Sequence, residues 1–147
     1  GTTRDNLVLG SGAGGIDGAH ILTPMPYLIS AGVTTANNVQ VPISILARLN
    51  LAGQCISVGK EYATLKVGAD TSGFKRALAA KAARGEQVKA AMTFPGGTHD
   101  MWIRYWLAAG GIDPNKDITT ITVPPPQMVA NMKVGTMDTF CVCEPWN

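Results

Sequence analysis

The chain has 147 residues, 46% hydrophobic and 15% charged, with 12 basic against 10 acidic side chains and a net charge of +2. That suits one ordinary domain able to bury a core and excludes a disordered tail. No Lys/Arg-rich run offers a footprint for nucleic acid, and no apolar stretch approaches the length of a membrane span.

Residues 2–9 (TTRDNLVL) read as the end of a helix, stopped by the glycine-rich GSGAGG. Ile16 to Leu22 reads as a short strand, Pro24 to Ala31 as a short helix closed by Gly32, and 33–40 as a polar loop. The β-branched run Val41 to Asn50 reads as a strand that GQC then breaks. Ser57 to Leu65 is ambiguous between a turn and a short helix. Thr71 or Ser72 can cap a helix running to Arg84, with Phe74, Leu78 and Ala82 recurring at i+4 spacing. Gln87 to Thr93 reads as a strand. Thr98 to Ala109 reads as a helix with Thr98 as N-cap and Asp100 in the first turn. Ile118 to Val123 is a strand, Pro124–Pro126 open a helix over Gln127 to Val134, and Met137 to Cys143 is the last strand. This alternation at short spacing predicts βαβ units and a parallel sheet.

No signal peptide is visible. The chain starts Gly-Thr-Thr-Arg without a methionine and stops at Glu144-Pro145-Trp146-Asn147, as if a helix were about to begin. We read it as a piece of a larger protein. The odd number of cysteines, Cys55, Cys141 and Cys143, does not spell a disulfide framework. Cys141 and Cys143 fall on one face of the last strand and read as small buried residues.

The stretch TFPGGTHD, residues 93–100, concentrates chemistry at one corner. Either its glycines only turn the backbone from strand to helix, or the corner binds an anion. A helix start exposes unpaired N–H groups and the positive end of the dipole. Gly96 and Gly97 permit close backbone approach, Thr98 adds a hydroxyl, and His99 adds a donor. The corner follows the carboxyl end of a strand, where open α/β sheets bind ligands. GGTHD is neither a dinucleotide fingerprint nor a phosphate-binding P-loop. Asp100 would repel an anion if it pointed into the site, so it is expected to face backbone N–H groups or solvent, or to hold a cation. If His99 acts as an imidazolium, anion binding weakens as pH rises through its pKa. Gln54, Thr23 and Pro24, and Glu144 stand at or near predicted strand ends and are further candidates. His20 reads as a core histidine, and Trp102, Tyr105 and Trp106 as the packing face of their helix.

The runs GIDGAHILTPMPYLIS, ILARLNL, AAMTFPGGTHD, RYWLAAGGIDP and VPPPQMVANMKVGTMD together resemble the nitrate- and bicarbonate-binding proteins of bacterial ABC transporters. The resemblance covers almost the whole chain and makes it an internal fragment. It implies an α/β fold of the type II periplasmic-binding-protein class, two-lobed and incomplete at both ends. Residues 1–50 would belong to the first lobe, 51–70 to an inter-lobe crossing, and 71–147 to the second lobe. It implies capture of a small oxyanion, nitrate or nitrite first and bicarbonate second, without chemistry, and delivery to a transporter permease. Gln54, Gly97, Thr98 and His99 match its ligand residues. A ligand tryptophan is expected before Gly1. A lysine, replaced by glutamate in members that bind bicarbonate with calcium, is expected beyond Asn147. The resemblance also places the protein in the periplasm, lipid-anchored to the inner membrane. Cys143 and Cys55 depart from the family, which favours glycine at the former position and glycine or alanine at the latter. Residues 66–89 are the least alike.

Two rival functions use the same broad fold. An enzyme related to thiamine-pyrimidine synthases would need a lysine for a pyridoxal phosphate Schiff base beside His99. A sensor domain fused to a transporter ATPase would differ only in what adjoins the chain.

Overall fold

The computed structural model describes residues 2–49 and 53–147. Chain contacts divide it into two units, Gly1–Leu51 with Gly96–Thr98, and Ala52–Pro95 with His99–Asn147.

The first unit is helical and irregular. Helix α1 (Thr3–Leu9) starts at a capping box, in which Thr2 and Asp5 bond each other's backbone N–H groups. Helix α2 (Pro24–Ser30) buries Met25, Pro26 and Ile29, and Gly32 takes positive φ just past its end. The strand predicted over 16–22 does not form, and His20 is exposed rather than in a core. Nor do residues 41–49 form a strand; Leu46 and Leu49 are exposed, and Asn50 lies outside the described residues. A strand needs a hydrogen-bonding partner, and β-branched composition alone does not supply one.

The second unit is an α/β layer structure. Its elements are β1 (Gln54–Val58), a 3-10 segment Lys60–Leu65, α3 (Ser72–Ala83), β2 (Lys89–Met92), α4 (Thr98–Ala109, beginning in the first unit), β3 (Thr119–Thr122), α5 (Met128–Lys133, entered through a 3-10 turn Pro125–Gln127) and β4 (Thr139–Cys143). Strand order is β1-β4-β2-β3. Strands β2, β3 and β4 are parallel, as expected, but β1 runs antiparallel to β4. Gly53, read as part of a break, leads straight into β1 with φ 119°.

Period-two alternation sends successive residues of each strand to opposite faces. Ala90 and Cys141 join Phe74, Leu78, Ile103 and Leu107 in one core beneath α3 and α4. Ala91, Phe140 and Val142 join Met128 and Met137 in a second core beneath α5. Cys141 is thus the buried residue its pattern implied, while Cys55 and Cys143 are half-buried. Burial, then the neighbouring Cys55 and Cys143, push the Cys141 thiol up to about 12.

Thr71 does not cap α3 with its side chain. It is fully buried, its hydroxyl directed at the Trp106 carbonyl 3.4 Å away. Asp70 instead accepts from the Ser72 N–H at 2.9 Å. Gly110 is required here, because a Cβ would lie 1.4 Å from the Thr71 hydroxyl. The three aromatics of α4 also divide. Trp106 packs on Phe74 and donates to the Gly68 carbonyl at 2.7 Å. Trp102 and Tyr105 are exposed and meet edge to face.

Candidate functional site

The second unit gathers several predicted residues at one end of its sheet. Gln54 opens β1 and pairs in register with Cys143 at the end of β4, while Phe140 pairs with Ala91 of β2. Gln54, Glu144 and the exit from β2 at Thr93 therefore share the carboxyl end of the parallel strands. Gln54 and Thr93 stand two strand spacings apart, roughly 10 Å. The exits from β2 and β3 lead to helices on opposite faces, so β2 ends at a topological switch point, the usual ligand crevice of an open α/β sheet.

The backbone makes the corner in the five residues between β2 and α4. Gly96 holds φ 74°, a conformation that disfavours other residues. A Cβ at Gly96 would crowd Leu28 at 3.2 Å. Gly97 is buried and Thr98 half-buried. Helix α4 begins at Thr98, so this threonine is the first helical residue rather than a cap preceding it.

His99 is only 4% exposed. Its Nδ1 shares a 2.7 Å hydrogen bond with the Thr93 hydroxyl. Its Nε2 is buried and has no hydrogen-bonding partner among the described residues. Buried polar atoms are nearly always paired, so such an atom points to a group that arrives from outside. Burial also lowers the pKa of the imidazole from its ordinary 6.5, which favours the neutral ring.

Asp100 is buried rather than solvent-facing. Its Oδ1 accepts from Arg104 Nε at 2.6 Å, one helical turn on. Arg104 also donates to Asn115 Oδ1 at 2.9 Å and Thr120 Oγ1 at 3.1 Å. This carboxylate is therefore neutralised within the protein and is spared from repelling an anion at the helix start.

The other candidates separate. Gln54 lines an open groove of about 440 Å³ with Ile56, Val67, Trp102, Tyr105 and Trp106. His99 is not among the residues of that groove. Glu144 Oε1 faces Cys55 Sγ at 3.8 Å and accepts from Asn147 at 3.0 Å. Thr23, exposed, and Pro24, the first residue of α2, lie in the first unit. Among the described residues no three His, Cys, Asp or Glu side chains form a group that could hold a metal ion. Thr93 was given no role by sequence reasoning. Its place at the end of a predicted strand, opening the same motif as His99, was the available signal.

A buried histidine with one nitrogen held and the other unpartnered among the described residues stands at a helix start beyond a sheet's carboxyl end, where open α/β folds usually bind ligands. The sequence profile of the NMT1-like family matches residues 1–147, and the chain belongs to that family. It is 64% identical over 146 residues to the nitrate/nitrite binding protein NrtA of Synechocystis, covering 99% of this chain and 32% of that protein. It is 42% identical over 144 residues to the bicarbonate-binding protein CmpA of Synechococcus elongatus, covering 97% of this chain and 32% of that one. The crystal structure of the periplasmic nitrate-binding protein NrtA from Synechocystis PCC 6803 superposes with a TM-score of 0.83 at 63% identity, covering 98% of this chain and 36% of that chain. The α/β fold is thus of the periplasmic-binding-protein type. The chain spans about a third of the length of these relatives.

Proposed function

We propose that this chain is part of the substrate-binding component of an ABC transporter, which captures nitrate or nitrite without chemical change. The observation that carries this reading is the buried, unpartnered Nε2 of His99 at the start of α4. A neutral imidazole offers Nε2–H to an oxyanion oxygen, and the dipole of the helix start adds to the attraction. Gly97 and Thr98 precede His99 in the chain, and Gln54, which lines its own groove at the same end of the sheet, is the further side chain assigned to the anion. Glu144, at the same end of the sheet, is assigned a lesser contact. Higher identity to the nitrate/nitrite binding protein than to the bicarbonate-binding one favours nitrate. A permease is the partner, and the location is the periplasm with a lipid anchor, which membrane fractionation checks. Calcium would accompany the ligand only if bicarbonate were bound.

Titration calorimetry on the full-length protein tests the reading. His99→Ala removes a hydrogen bond to a charged ligand, a loss of about 1.5–3 kcal/mol. Nitrate affinity should fall roughly 10- to 150-fold. Unchanged affinity for nitrate and bicarbonate alike would take this corner out of the site.

A further inference from the structure

We propose that Thr93 is a positioning residue for anion binding: its hydroxyl donates to Nδ1 of His99 and thereby places the ring proton on Nε2, facing the ligand. The inference rests on the anion reading above.

The geometry leaves two arrangements. Thr93 Oγ1 and His99 Nδ1 lie 2.7 Å apart, close enough for a good hydrogen bond in either direction. If Nδ1–H donates to the hydroxyl, Nε2 carries a lone pair. If the hydroxyl donates to Nδ1, Nε2 carries the proton. Nε2 is the buried atom with no partner among the described residues. Nitrate has acceptor oxygens only, so a lone pair on Nε2 would repel it, whereas Nε2–H would bind it. For the neutral ring that burial favours, only the second arrangement makes the pocket complementary to such an anion. Thr93 also suits the task by its position. It follows β2 directly and is half-buried, so its backbone is anchored on a rigid element while the ring rides on α4. A partner that orients an imidazole through its second nitrogen is the same device that fixes histidine ligands around metals.

The test uses the full-length protein with nitrogen-15-labelled histidine, the His99 signal being assigned by its loss in His99→Asn. The wild type without ligand should show His99 protonated on Nε2. Thr93→Ser keeps the hydroxyl and should preserve both the tautomer and nitrate affinity. Thr93→Val keeps the shape but not the donor. It should give a mixture of tautomers or the Nδ1–H form, and nitrate affinity should drop roughly tenfold, the scale of one lost hydrogen bond. Proton on Nδ1 in the wild type overturns the proposal, as does a Thr93→Val protein with unaltered tautomer and affinity. A tautomer shift in Thr93→Val with nitrate affinity unchanged there and in His99→Ala overturns the anion reading instead. Lost affinity in Thr93→Val with a lowered unfolding midpoint and an unmoved tautomer marks a purely structural role and likewise overturns the proposal.

Discussion

At the residue scale, the site depends on how two polar side chains are disposed beside each other in α4. Asp100 and His99 are adjacent and both buried, yet Asp100 is spent on Arg104 while His99 keeps one nitrogen unpartnered. The protonation of His99 has a definite sign. Its pKa is lowered by burial, so between that value and 6.5 the unfolded chain binds more protons there than the folded chain. This group's contribution to stability is therefore present above pH 6.5 and lost as pH falls through that window. Ligand binding follows the same protonation state. Nitrate does not titrate, and a neutral ring stays neutral as pH rises, so nitrate affinity should be flat from about pH 7 to about pH 9. Calorimetry across that range checks it; a steady decline through neutrality would mean that an imidazolium is required, the alternative raised by the sequence. GGTHD made His99 legible as a candidate. The Thr93 bond was not legible, because it joins residues six apart through a turn whose geometry the letters do not specify.

At the element scale, the parallel strands and their helices followed from pattern, since each buries a face and alternates or repeats accordingly. Helix α4 and the order of elements after residue 71 were readable for that reason. Strand β1 was not, since GQC reads as a break and Ser57 to Leu65 as a turn or short helix; both the strand and its antiparallel direction depend on β4 being available to pair. The opposite end of the sheet from the candidate site is tied by Asp138. Its carboxylate is 1% exposed and receives Lys81 Nζ at 2.6 Å, the Lys89 N–H at 2.8 Å and the Tyr62 hydroxyl. It therefore links β4, β2, α3 and the 3-10 segment. Burial, then the bond to Asp138, raise the Tyr62 pKa, so the phenol stays a donor. Asp138→Ala leaves the Tyr62 hydroxyl and an N–H unpaired, while Lys81, at 21% side-chain exposure, can regain water. The loss should be about 3 kcal/mol in chemical denaturation. A loss below about 1 kcal/mol would show that this hub does not hold the elements together.

At the scale of the whole molecule, the apolar residues of 41–49 stand out in a chain that spans about a third of the length of its relatives. Ile45, Leu46 and Leu49 read as strand residues yet lie exposed, and the relatives are about three times as long as this chain. The family resemblance assigned a tryptophan and a selectivity lysine or glutamate to sequence outside residues 1–147, so the choice between nitrate and bicarbonate belongs to the full-length protein. The claim that does belong to this chain is that His99 Nε2 touches the anion. A crystal structure of the full-length protein grown with nitrate measures this directly. The account predicts a nitrate oxygen about 2.7–3.1 Å from Nε2, with Nδ1 still on Thr93. A nitrate bound elsewhere, or Nε2 bonded to a protein group with the anion in place, would contradict it.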